Sequence, residues 1–164
     1  MSDKVFRVLF ICSENSARSI MAEGLLNDLG RGRFKAFSAG SRPSGAIHPL
    51  AISTLEKLGV PAAGFRSKSW DEFADSHALD LDFVLTVCNA AAGEPCPVWP
   101  GRPVTANWSI PDPAAVHGSD EQMRRAFLDA AAILKRRIEY MLLLPMEKLD
   151  RMSLQREVSG IGQR

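Results

Sequence analysis

The sequence predicts an α/β fold: a four-stranded parallel sheet flanked by helices in three layers. Two observations predict it. Short apolar runs lack the in-and-out alternation of a half-exposed strand, as expected of strands buried on both faces. Between them lie segments of helical periodicity with recognisable ends, and strands alternating with helices give a parallel sheet joined by right-handed crossovers.

The first run is Val5 to Ile11, VFRVLFI, placed as the central strand. Ser19 to Leu29 follows as a helix with Met21, Leu25 and Leu29 on one face, and Gly30 stands where a left-handed cap is wanted. Phe34 to Ala39 is the second strand, and Pro49 to Leu58 the second helix, with Pro at its start and Gly59 just past its end. The Gly, Pro and Ser residues between Gly59 and Trp70 read as a loop. Leu81 to Val87, LDFVLTV, is the third strand and Val104 to Trp108 the fourth. Ser119 with Gln122 makes a capping box for a long helix whose apolar face runs Met123, Phe127, Ala130, Leu134, Ile138, Met141. Pro145 stops that helix, and residues 146–164 fit a short helix or a tail equally well.

At 164 residues the chain is expected to form one domain, 1–164, large enough for a real core. The net charge of +1 offers no bulk field to recruit nucleic acid or an anionic membrane. No apolar run approaches the roughly 20 residues that span a bilayer, and the start lacks a long apolar signal core, so a cytoplasmic location is expected. In a reducing cytosol, three cysteines are expected to be catalytic, redox-active or metal-binding rather than structural staples. A structural zinc site needs four ligands at tight local spacing, and His48, His77 and His117 are scattered singly, which fits surface or helix-cap roles.

In parallel sheets of this kind ligands bind beyond the carboxyl ends of the strands. Cys12 and Cys88 each follow an apolar strand, so both sulfurs are expected on one rim. The segment Cys12-Ser13-Glu14-Asn15-Ser16-Ala17-Arg18-Ser19 runs from a strand end into a helix start. Backbone N–H groups of such a turn, together with the helix dipole, can hold a phosphate-like anion. Arg18 would add a bidentate fork, and the same field would lower the Cys12 pKa toward a thiolate. Ser19 can donate a hydrogen bond to the sulfur, and Asn15 can hold backbone that ordinary residues disfavour. A buried cysteine at a strand end is often only a small hydrophobe, but that reading leaves Arg18 and the polar run unexplained.

The pattern C-x-x-N-x-x-R-S after an N-terminal strand resembles the low-molecular-weight protein tyrosine phosphatase superfamily and its arsenate reductase branch. The resemblance extends to Ser38-Ala39-Gly40 and to Asp112-Pro113, similar to the family's loop carrying the general acid. An Asp-Pro pair by itself commonly marks a loop start, but its place after the fourth strand puts it on the expected catalytic rim. The phosphatase branch usually has a cysteine just before the arginine and aromatic residues after the Asp-Pro. Here those positions are Ala17 and Ala114, a site suited to a small inorganic anion.

Cys88 and Cys96, separated by a run of small residues, are similar to the pair that relays oxidation in the reductase branch, as are the flanking Thr86-Val87 and Pro97-Val98-Trp99-Pro100. The resemblance implies that Cys12 attacks arsenate with Asp112 as acid, that Cys88 releases arsenite by forming a disulfide with Cys12, and that Cys96 carries the disulfide outward. Thioredoxin or glutaredoxin with glutathione would then reduce it. No tightly bound cofactor is implied. Some reductases of this family hold potassium, and Asn15, Glu23 and Ser38 stand at matching positions. Phosphate and sulfate are expected competitors. The alternatives are a phosphatase acting on phosphotyrosine or small phosphomonoesters, and a non-catalytic oxyanion-binding or redox-signalling module.

Overall fold

Strand β1, Phe6–Cys12, is the first apolar run, shifted by one residue so that it ends on the cysteine itself. The computed structural model describes residues 4–74, 80–88, 99 and 101–164. In it β1 pairs in parallel with β2 (Phe34–Gly40) and with β3 (Phe83–Thr86). β4 (Val104–Asn107) joins β3, giving the order β2-β1-β3-β4. Val8, Leu9, Phe10 and Ile11 are all inaccessible to solvent, which is why the run showed no alternation: both faces are covered. The register sets Cys12 opposite Gly40 and Ile11 opposite Thr86, so the functional ends of three strands line one edge.

Helix α1 (Arg18–Leu29) packs on β1, β2 and two further helices, α2 (Pro49–Lys57) and α4 (Asp120–Leu142). Its burial therefore goes well beyond the expected stripe. Ile20, Ala22 and Leu26 are buried together with Met21 and Leu25, whereas Leu29 is only partly covered. Gly30 does not take the expected left-handed cap, since its φ is −97°. A side chain there would meet the Leu26 carbonyl at 2.9 Å and the Phe34 Cβ at 3.0 Å, so close approach of helix to strand accounts for the glycine.

Helix α4 starts with the capping box read from the sequence, Ser119 accepting from the Gln122 N–H and Gln122 accepting from that of Ser119. Phe127, Ala130, Leu134, Ile138 and Met141 of its expected face are buried; Met123, in the exposed first turn, is half-buried. Between α2 and β3, the short helix α3 (Asp71–Ala74) breaks what the sequence presented as loop and strand approach. Beyond Pro145, residues 151–161 form a helix, α5 (Arg151–Ile161), capped by Asp150, whose side chain accepts from the Ser153 N–H at 2.7 Å. Val158 and Ile161 are buried, the helix lies on β4, and the Val158 carbonyl receives the Trp108 indole N–H at 2.9 Å. No helix among the described residues is long and apolar enough to cross a membrane.

Candidate active site

β1 delivers Cys12 to the edge of the sheet, and the chain then turns through residues 13–17 into α1. Asn15 makes the turn possible: it is fully buried and left-handed, with φ 49°, a conformation asparagine tolerates better than most side chains. Its amide nitrogen donates to Ser19 Oγ and Ser38 Oγ, both at 2.9 Å, and its oxygen accepts from the Lys68 N–H at 2.9 Å. The segment after β2 closes over the loop from outside. The N–H groups of Arg42, Ser44 and His48 donate to the carbonyls of Ser13, Glu14 and Ser16 at 2.8, 3.0 and 2.9 Å. With those carbonyls turned outward, the planar peptides aim the following N–H groups inward, a nest for an anion.

Gly40 lets these segments meet. A Cβ at this position would lie 2.4 Å from the Ser13 carbonyl oxygen and 2.9 Å from that of Cys12. The resulting cavity, about 440 Å³, is lined by Cys12, Ser13, Arg18, Arg42, Asp112 and Ala114, among others. Arg18 spans it: Nη1 donates to the Ile110 carbonyl at 2.9 Å, and Nη2 stands 3.6 Å from Asp112 Oδ2. Its Nε is buried with no partner among the described residues, a donor that an oxyanion in the cavity would satisfy. Asp112 is held at the start of a short 3-10 turn, Pro113–Ala115, where its Oδ1 accepts from the Ala114 N–H at 2.9 Å. Arg137 braces the segment before it. This buried guanidinium donates to the carbonyls of Trp108 and Ser109 at 2.7 and 3.3 Å.

The two rim cysteines meet. Both are buried and unoxidised, and the Cys88 sulfur accepts from the Ser13 N–H at 3.1 Å, with the Ser13 hydroxyl at 3.6 Å. The Cys12 thiol is pushed up, not down as the helix-end position suggests: its hydrogen bond with Cys88 is the largest cause and burial the next, while the Arg18 charge opposes both. Two close sulfurs share protons as a pair, so losing the last one is hard although the surroundings are electropositive. Ser19, expected to support the sulfur, instead accepts from Asn15, and the side chain hydrogen-bonded to Cys12 is Cys88.

The other anticipated residues sort cleanly. Asn15, Glu23 and Ser38 come together, the Ser38 hydroxyl donating to Glu23 Oε1 at 2.5 Å. His48 is a helix cap, its Nδ1 accepting from the Leu50 N–H at 3.1 Å. Tyr140 lies on α4, where the Arg164 guanidinium stacks on its ring. Among the described residues no three His, Cys, Asp or Glu side chains could hold a metal ion. Cys96, His77, Pro97, Val98 and Pro100 lie outside the described residues, while Trp99 is buried edge-on against Trp70. Sequence reading missed Ser13 as partner of Cys88, Arg42 in the cavity wall and Arg137 behind the aspartate loop. Only Ser13, next to the nucleophile, carried any local signal.

The family profile described as low molecular weight phosphotyrosine protein phosphatase matches residues 7–157. A "Glutaredoxin arsenate reductase" from Synechocystis is 32% identical over 133 residues, 81% of this chain and 93% of that protein. A solved structure titled "An arsenate reductase in the phosphate binding state" is similar with a TM-score of 0.69 and 31% identity, over 84% of this chain and 97% of its own. The Corynebacterium glutamicum thioredoxin-dependent arsenate reductase has a TM-score of 0.56 and 26% identity, over 85% of this chain and 64% of its own.

Proposed function

The chain belongs to the low-molecular-weight phosphotyrosine protein phosphatase family, and we propose that within it this protein is an arsenate reductase with Cys12 as nucleophile. What carries the reading is the second sulfur. A phosphatase needs only the nucleophile, the arginine and the acid, whereas here the buried Cys88 is hydrogen-bonded to the nucleophile. The relatives named arsenate reductase support the same choice.

Arsenate sits in the nest of residues 13–19 against the Arg18 fork. The proton held by the sulfur pair moves to Cys88 as the Cys12 thiolate attacks arsenic. An oxygen leaves as water, protonated by Asp112, whose second oxygen stays tied to the Ala114 N–H. Cys88 then gives up its proton to solvent, its thiolate stabilised by the Ser13 N–H, and attacks the Cys12 sulfur. The S–As bond breaks with its electron pair going to arsenic, which departs as arsenite, and a Cys12–Cys88 disulfide remains. Cys96 attacks the Cys88 sulfur and frees Cys12 for the next cycle. An external dithiol, thioredoxin or a glutaredoxin working with glutathione, takes up the disulfide by exchange. The reaction takes place in the cytoplasm and serves arsenic detoxification, with phosphate and sulfate as competing oxyanions.

The test is arsenite production from arsenate over many turnovers. One sample holds thioredoxin, its reductase and NADPH, the other glutaredoxin with glutathione, and phosphate-ester hydrolysis is followed in parallel. Turnover lost in Cys12→Ser is expected with one donor. Ester hydrolysis without arsenite would make the protein a phosphatase.

A further inference from the structure

We infer that Arg137 is a positioning residue for the general acid: from α4 it fixes the bend at which the chain leaves β4, and a stiff Pro-Asp-Pro arm carries that setting to the Asp112 carboxyl. The inference rests on Asp112 being the acid of the proposed reaction and deepens that reading.

Arg137 lies among the buried residues Leu134, Ile138 and Met141 of α4 and is itself only 7% exposed. A charge is seldom kept in such surroundings without a partner that uses it. Among the described residues its guanidinium meets three carbonyls. Nη1 donates to those of Trp108 and Ser109 at 2.7 and 3.3 Å, and Nε to that of Arg164 at 3.2 Å.

Successive carbonyls of an extended strand point to opposite edges, so one nitrogen can hold those of residues 108 and 109 only where the backbone bends. The bend follows directly on β4, which ends at Asn107. Its base is firm. The Trp108 N–H donates to the Thr86 carbonyl at 2.7 Å, its indole N–H to the Val158 carbonyl at 2.9 Å, and the Arg164 carbonyl steadies the guanidinium through Nε.

From this base to the acid the chain has little slack. Proline fixes its own φ and holds the residue before it to extended backbone. Prolines stand at 111 and 113, so Ile110 and Asp112 are restricted as well, and Asp112 has φ −76° and ψ 111°. Ile110 is held more lightly than the base. Its N–H reaches the Val87 carbonyl at 3.3 Å, and its carbonyl accepts from Arg18 Nη1 at 2.9 Å. Arg18 is the group that an oxyanion would also draw on, so Arg137 is the tie that stays when the cavity fills. A turn of peptides 108 and 109 would pass along the arm and swing the carboxyl out of place.

The experiment is a double-substitution cycle. Pre-reduced protein is mixed with saturating arsenate and the first arsenite per molecule is timed, so that no external dithiol enters. Calorimetry with inorganic phosphate reads oxyanion affinity, and thermal unfolding reads the fold. Arg137→Met should slow that turnover about tenfold or more, since a shift of about 1 Å in a reacting group can cost on the order of 100-fold, while phosphate binding stays within about twofold. In protein carrying Asp112→Asn the same substitution should change the rate less than about twofold, because no acid is left to place. If Arg137→Met does not fold, Arg137→Lys, which keeps the charge and one donor, takes its place in the cycle and should slow turnover at least about threefold. Phenyl phosphate hydrolysis, followed alongside, draws on the same acid, so a protein that forms no arsenite fails the reductase reading and still tests the inference through the ester. A rate within about twofold of wild type would overturn the inference. So would a loss of equal size in Asp112→Asn protein, phosphate binding that weakens as much as the rate falls, or a wild type inert on both substrates.

Discussion

Replacing Gly40 with alanine tests whether the anion loop is held in shape by the strand beside it. The added methyl would sit 2.4 Å from the Ser13 carbonyl oxygen, 2.9 Å from that of Cys12 and 3.0 Å from the Asn15 nitrogen. Nonbonded atoms rest at roughly 3.5 Å, so the nearest contact is about 1 Å too short. All three contacts are backbone, so no side chain can swing aside and the loop itself must move. Overpacking of this kind costs about 1–3 kcal/mol of stability. A shift of about 1 Å in a reacting group can cost on the order of 100-fold in rate. The expected variant is therefore folded, with a lowered urea midpoint and kcat/KM for arsenate down about 100-fold. Steady-state arsenite production and urea unfolding read the two effects separately. A variant within threefold of wild-type kcat/KM would show that the loop does not depend on this close approach.

Other predictions follow from the same geometry. Cys88→Ala removes the largest cause holding the Cys12 thiol up, so its thiolate should appear at lower pH; iodoacetamide labelling of Cys12 against pH, located by mass spectrometry, reads the midpoint, and an unchanged or higher value refutes the coupling. Arg18→Lys keeps the charge but loses the fork, worth about 3 kcal/mol of charged hydrogen bonding and so roughly 100-fold in kcat/KM; near-normal kinetics would assign Arg18 to structure. Arg137→Met strands the carbonyls of Trp108 and Ser109, and should cost about 2–3 kcal/mol in urea unfolding; an unchanged midpoint would show that water replaces the guanidinium.

The strands, α1, α2 and α4 were legible because each obeys a local rule: unbroken apolar runs for β1 and β3, Pro49 at the start of α2, the Ser119 and Gln122 box for α4. Cys12, Arg18 and Asn15 were legible because the loop chemistry is contiguous in sequence. What stayed hidden is non-local. The contact that raises the Cys12 thiol comes from Cys88, just past the end of β3, and the brace behind Asp112 comes from Arg137 on α4. The last helix escaped because its buried residues, Val158 and Ile161, are too few to show a period; β4 and Trp108 supply the other half of that contact. Gly30 is needed for its lack of a side chain and not for its φ, two requirements that look the same in sequence.

Cys12 and Cys88 belong to neighbouring ends of the parallel sheet yet lie about 76 residues apart along the chain. A bond between their sulfurs would enclose most of the first half of the protein in a covalent ring. In the chain-entropy view such a ring removes freedom from the unfolded chain worth about 4.5 kcal/mol, against about 2.5 kcal/mol for a ring of roughly 8 residues such as Cys88 and Cys96 would close. The chemical intermediate would then double as a reinforcement. A population arrested after arsenite release should resist heat and proteolysis better than the resting protein, and each round of reduction would return it to its looser form.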